Sequence, residues 1–172
     1  MALFKIIFLI FIIFTSLNGY ESEAKLKAVI VGKVAKYITF QDDKGSKEFV
    51  ITIYKNKCAN TFDNIYKDVK INNKPVKIVY IDNIEDLGYT NVLYISKVNS
   101  ATLSKILEKT KNKNIVTISS NRGFAQKGGV IQLYFVSQKL KLKINTQSAT
   151  QKNLKIGSTL LRVADIVKGD KV

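Results

Sequence analysis

Val130-Ile-Gln-Leu-Tyr-Phe-Val136 and Lys139-Leu-Lys-Leu-Lys-Ile144 stand on either side of Ser137-Gln138. A two-residue turn at that dipeptide pairs positions whose numbers sum to 275. Phe135 then faces Leu140, Leu133 faces Leu142 and Ile131 faces Ile144, while Tyr134 meets Lys141 and Gln132 meets Lys143 on the opposite face. One wholly apolar face and one amphipathic face are the pattern of an antiparallel pair packed on one side. Ser-Gln is a weak turn dipeptide, so the turn type stays open.

Upstream of this hairpin the pattern alternates. Residues 21–38 place Leu26, Val29, Ile30, Val34, Tyr37 and Ile38 at helical spacing, with Ala28 and Gly32 leaving room for close packing. A polar turn over 41–47 leads to a β-branched and aromatic strand over 48–54. A short helix over 60–67 turns Phe62, Ile65 and Tyr66 inward, and Asn72-Asn73 turns the chain into a strand over 76–81, with Pro75 just ahead of it. A connector over 83–88 and a buried strand over 92–95 follow. Asn99 or Ser100 caps a helix with Leu103, Ile106 and Leu107 as its stripe, and a fourth strand covers 115–118. Downstream of the hairpin, 145–154 reads as a weak helix, and Ser158 caps a last helix carrying Leu160, Leu161, Ala164 and Val167 on one side. Alternation of this kind predicts an α/β chain: a single three-layer domain with a mostly parallel sheet, flanking helices and a C-terminal antiparallel hairpin (130–136/139–144).

Composition bounds the chemistry. The 172 residues include no His, no Trp and one Cys, Cys58. A His/Cys zinc site, a Ser-His-Asp or Cys-His nucleophile pair and an intrachain disulfide are therefore excluded. No acid/base pair at readable spacing stands out, so no catalytic residue, metal or cofactor is expected. Lys and Arg number 28 against 13 acidic residues, but only Arg122 and Arg162 are arginine. The lysines are spread along the chain rather than run together, which describes a solvated surface more than a nucleic-acid patch built on bidentate Arg contacts.

The first residues read as an address. Lys5 precedes nine unbroken apolar residues from Ile6 to Phe14, and Thr15-Ser-Leu-Asn-Gly19 is small and polar. That order is a secretory leader over residues 1–19, too short in its apolar part for a membrane span. Cleavage after Gly19 leaves an exported domain over 20–172, periplasmic in a cell with two membranes, with 27 basic residues against 13 acidic ones. Export argues against a nucleic-acid partner. In an oxidising compartment Cys58, in a loop, reads as an inert thiol.

The segment Gly123-Phe-Ala-Gln-Lys-Gly-Gly-Val-Ile131, the strand end Leu142-Lys-Ile-Asn145, Leu154-Lys-Ile156 and Ser158-Thr-Leu-Leu-Arg162-Val-Ala164 resemble, in order and spacing, the YfiR family of small exported regulators. The opening helix from Leu26 to Tyr37 is similar too, and the middle of the chain matches in pattern. The resemblance implies an α/β regulator without enzymatic activity. Its role would be to bind the outward-facing sensor domain of a membrane-anchored diguanylate cyclase, hold it inactive, and so lower cyclic di-GMP and attached growth. Two departures stand out: Cys58 alone cannot supply the cysteine pairs of some relatives, and Leu142 stands where an aromatic is often found.

Candidate binding residues fall in two groups. If the first, third and fourth strands are parallel, their C-terminal loops bring together Asn56 and Lys57, Ser96 and Lys97, and Ser119, Ser120, Asn121 and Arg122. Ligands of open α/β sheets bind at such ends, and this cluster suits a small anion. This is the alternative reading, a periplasmic small-ligand-binding protein. The partner-binding candidates are the N-terminal helix, Tyr134 and Lys141 on the hairpin's outer face, Asn145 at its end (also a natural helix cap), and Arg162, facing Asp165 or a partner. A second copy of the chain is a further candidate partner. Gly123, Phe124, Gly128, Gly129, Leu160 and Leu161 read as structural, the glycines allowing positive φ and close approach into the hairpin.

Overall fold

A computed structural model describes residues 23–40, 46–57 and 60–168. The proposed leader, its cleavage point at Gly19, most of the turn after residue 40, and Cys58 lie outside the described residues. Helix α1 is described over residues 23–35. It is followed by β1 (Ile38–Phe40), β2 (Phe49–Tyr54), α2 (Thr61–Tyr66), β3 (Lys70–Ile71), β4 (Lys74–Ile81), β5 (Val92–Ile95), α3 (Ser100–Thr110) and β6 (Val116–Ser119). The chain ends with β7 (Ile131–Val136), β8 (Lys139–Asn145), α4 (Thr146–Gln151), β9 (Leu154–Ile156), α5 (Ser158–Leu161) and β10 (Asp165–Val167).

Eight strands form one sheet in the order β10-β8-β7-β6-β5-β2-β4-β3, and β1 and β9 form a separate antiparallel ribbon. The centre is parallel throughout: β4, β2, β5, β6 and β7 run one way. The register of β7 against β8 is Ile131↔Ile144 through Val136↔Lys139, the pairing that sums to 275. Ser137 and Gln138 both take positive φ (46° and 64°), the type I′ geometry whose twist matches that of the strands.

Side chains of successive strand residues point to opposite faces, and the two faces carry two cores. On one face Phe49, Ile51, Ile53, Val92, Tyr94, Val116, Ile118, Ile131, Leu133 and Ile144 pack beneath α1 (Ala28, Val31, Val34, Ala35) and α2 (Phe62, Tyr66). On the other, Tyr54, Leu93 and Ile95 meet Leu103 and Ile106 of α3 and Phe124. Helix, sheet and helix thus make the three layers. Each fully buried aliphatic or aromatic side chain stabilises this arrangement by about 1.5–3 kcal/mol relative to exposure. Helix α1 and α2 are tied by the Tyr66 hydroxyl, which donates to the Ala28 carbonyl at 2.6 Å. Burial pushes that phenol well above its ordinary range. Close approach needs a glycine there, since a Cβ on Gly32 would sit inside the Tyr66 ring and hydroxyl.

Several local expectations change. Helix α1 ends before Ile38, because Tyr37 N–H turns back to the Val34 carbonyl and Ile38 begins β1, paired with Ile156. Leu154 is the first residue of β9 rather than the last of a helix, and it faces Phe40 across the ribbon. The final helix is only four residues long. Gly157, not Ser158, is its N-cap, and no side chain caps it. Val167 lies instead in β10, a parallel edge strand on β8. Here the β-branched Ile166 and Val167 extend the sheet, and pairing with β8 overrides a helical spacing of four apolar residues. Strand β4 starts at Lys74 and includes Pro75, whose missing N–H the two-residue partner β3 does not need.

Candidate functional site

The carboxyl ends of β2 and β5 are neighbours, but the chain leaves them in opposite directions. From β2 it passes through α2 to β4 on one side; from β5 it passes through α3 to β6 on the other. The two crossover helices lie on opposite faces of the sheet. The loops therefore part and leave a crevice between the strand ends, a topological switch point. A cavity of about 280 Å³ opens there, lined by Glu23, Ala24 and Lys27 of α1 and by Lys57, Tyr94, Ser96, Lys97 and Ser120.

The loops around it are held by buried polar side chains. Ser119 Oγ donates to the Ile95 carbonyl (2.8 Å) and accepts from both the N–H and the Nδ2 of Asn121 (3.2 and 2.7 Å). Asn121 Nδ2 also donates to the Ser96 carbonyl (3.2 Å), and its Oδ1 accepts from Val98 N–H (3.1 Å). These two side chains fasten the β6 loop to the β5 loop and shape the crevice from beneath. Lys57 Nζ reaches across to the Lys97 carbonyl at 3.1 Å. Arg122 is exposed and follows the cluster without lining the cavity. Among the described residues no three of His, Cys, Asp and Glu gather as a metal site.

The second candidate group lies on the outer face of the hairpin. The Tyr134 hydroxyl donates to Asp165 on β10, which raises the phenol's pKa. Lys143 Nζ lies 5.0 Å from the centre of the Tyr134 ring, and Lys141 pairs with Tyr134 across the strands. Lys141 and Asp165 are exposed. On the same face Gln132 is already covered, its Oε1 accepting from Ala125 N–H (3.3 Å). Asn145 is buried between the groups: its Oδ1 caps α4 through Ser148 N–H (2.9 Å), and its Nδ2 donates to the Ala125 carbonyl (2.7 Å). Arg162 sits exposed at the end of α5, and Asp165 takes the Tyr134 hydroxyl rather than this guanidinium.

The glycine-rich segment 123–129 carries the covering loop into β7. Gly123 (φ 72°) and Gly128 (φ 99°) occupy the left-handed region. Gly129 lies so close to the Phe124 ring that a Cβ would overlap it. Leu160 is buried in the main core, with Leu161 packed against it. Sequence reasoning reached the loops at the strand ends but missed Glu23 and Lys27, the wall that α1 adds. Strand periodicity already sets Lys143 on the face of Tyr134. Asp165 reads from sequence only as a candidate partner of Arg162; its contact with Tyr134 depends on β10 being a strand.

Fold and site together define a three-layer α/β domain with a small basic crevice at its switch point and a polar, aromatic face at one end of its sheet. Within that class, the chain belongs to the YfiR/HmsC-like family (DUF4154), which it matches over residues 24–165. No curated protein matches it in sequence.

Proposed function

We propose that the chain is an exported, non-enzymatic regulator that binds the sensor domain of a membrane-anchored diguanylate cyclase and holds it inactive, lowering cyclic di-GMP. Family membership over residues 24–165 is the observation that carries this reading. The leader-like order of residues 1–19 supports export to the periplasm. No helix among the described residues is long and apolar enough to cross a membrane. Mechanistically, the regulator favours the inactive conformer of its partner by binding it more tightly than the active one. The hairpin's outer face carries the polar, solvent-accessible side chains of an interface rim, Lys141, Lys143 and Asp165, around one aromatic, Tyr134, and is the contact surface we assign. Arg162 and the exposed side of α1 are secondary candidates.

The test is capture of membrane proteins on the tagged chain lacking residues 1–19, with cyclic di-GMP measured in cells with and without the gene. Recovery of a cyclase-type receptor and a rise in cyclic di-GMP on deletion are expected. Recovery of no such receptor, with cyclic di-GMP unchanged, overturns the reading.

A further inference from the structure

Three observations that the regulator reading does not use meet at the switch-point crevice. Ser96 lines the cavity and is only 4% exposed, and its hydroxyl is buried with no hydrogen-bond partner among the described residues. A buried polar group left unpaired costs roughly 1–3 kcal/mol, so an orphan of this kind calls for an explanation. The lining also carries three ammonium groups, on Lys27, Lys57 and Lys97, against the single carboxylate of Glu23. Lys27 is ion-paired with that carboxylate, so the net positive charge of the lining comes from Lys57 and Lys97. Finally, the volume of about 280 Å³ equals roughly nine waters at ~30 Å³ each, more than an inorganic anion fills, and Tyr94 and Ala24 add apolar wall.

We infer that the crevice between the ends of β2 and β5 binds a small organic anion bearing a carboxylate or phosphate group. Rotation about χ1 brings the buried Ser96 hydroxyl out to donate the hydrogen bond, the lysines supply the charge, and the ligand's apolar body lies toward Tyr94. Lysines act here as point charges and accept either head group, since they lack the planar fork with which Arg selects geometry. Asn121 and Ser119 hold the loops in place without needing to touch the ligand. The inference stands apart from partner binding, because the cavity and the hairpin's outer face are built from different residues.

The experiment is thermal unfolding of the intact chain with benzoate, phenyl phosphate, inorganic phosphate, chloride or neutral benzyl alcohol, at matched ionic strength. Benzoate or phenyl phosphate is expected to raise Tm by about 3–6 °C at ten times its Kd, while chloride and benzyl alcohol do not. Which of the two works identifies the head group. Ser96→Ala, which removes the unpaired hydroxyl and so leaves folding intact, weakens binding about tenfold. Lys97→Glu, at an exposed position, abolishes the shift. Equal Tm with all five additives overturns the inference. So does a shift shared with benzyl alcohol, or one unchanged in both variants. A negative result here leaves receptor capture untouched, and failed capture leaves the Tm shift untouched.

Discussion

Gly129 shows how much one hydrogen atom can decide. Phe124 is fully buried, and its ring lies where a side chain at 129 would have to go. Gly129→Ala must displace that ring from a packed core, an overpacking cost of about 1–3 kcal/mol that lowers the urea midpoint without changing the m-value. Gly88, with nothing near its Cβ position, is the control site for the same exchange. Lys152 poses a different residue-scale problem. It is 3% exposed, and its ammonium donates to the Thr110 carbonyl at the C-terminal end of α3, the negative end of that helix. Burial still lowers its pKa from 10.5 to about 8. Between those values the unfolded chain binds the proton and the folded chain does not, so stability rises with pH across the window. The gain is up to about 3 kcal/mol, absent at pH 7 and complete only above the unfolded pKa of 10.5. Urea midpoints at several pH values should show this rise in the wild type, and Lys152→Met should remove it. A parallel pH dependence in both proteins would mean that the ammonium is solvated.

Among the elements, the β7–β8 hairpin was legible because its signal is local and redundant. Three apolar cross-strand pairs on one face and alternating polar residues on the other fix one register, and a slip by one residue would bury Lys141 and Lys143. The turn was not legible, since Ser137 and Gln138 adopt a conformation that neither residue favours. A left-handed backbone costs an L-residue about 1–2 kcal/mol, less in Asn and essentially nothing in Gly. Ser137→Asn with Gln138→Gly should therefore raise stability by about 1 kcal/mol, seen as a higher urea midpoint. A lower midpoint would show that the Ser137 or Gln138 side chain makes a stabilising contact. Short elements were the ones misread. Strands β1, β9 and β10 have three residues each, too few to display a period, and their identity comes from their partners. Leu160, Leu161, Ala164 and Val167 keep helical spacing by coincidence, because α5 stops at Leu161. The α4 cap was better marked: Asn145 closes a strand and opens a helix, and its side chain caps α4 through Ser148 N–H while its amide donates to the Ala125 carbonyl of the glycine-rich loop.

At the scale of the whole molecule, strand order is what the sequence could not disclose. Parallel strands and crossover helices follow from alternation, but the reversal between β2 and β5 comes from which strands pair. The crevice exists because of that reversal, and α1, distant in sequence, forms its other wall. The same long-range pairing brings β10 beside β8 and sets Asp165 against Tyr134, converting half of an amphipathic hairpin into a charged, aromatic surface. On the opposite side of the sheet Lys27 of α1 lies 5.7 Å from the Phe135 ring near the hairpin tip, so the outer face is the one that helices leave bare. Lys141 is exposed at its centre, and no ion pair among the described residues holds it. Lys141→Glu should leave the urea midpoint within about 0.5 kcal/mol of wild type, as surface exchanges away from packed features do. If this face grips the sensor domain, the reversed charge should weaken receptor capture at least tenfold and slow association most at low salt, because like charges across an interface act first on encounter. Unchanged capture with unchanged stability would move the contact surface away from the hairpin, to the exposed side of α1 and Arg162.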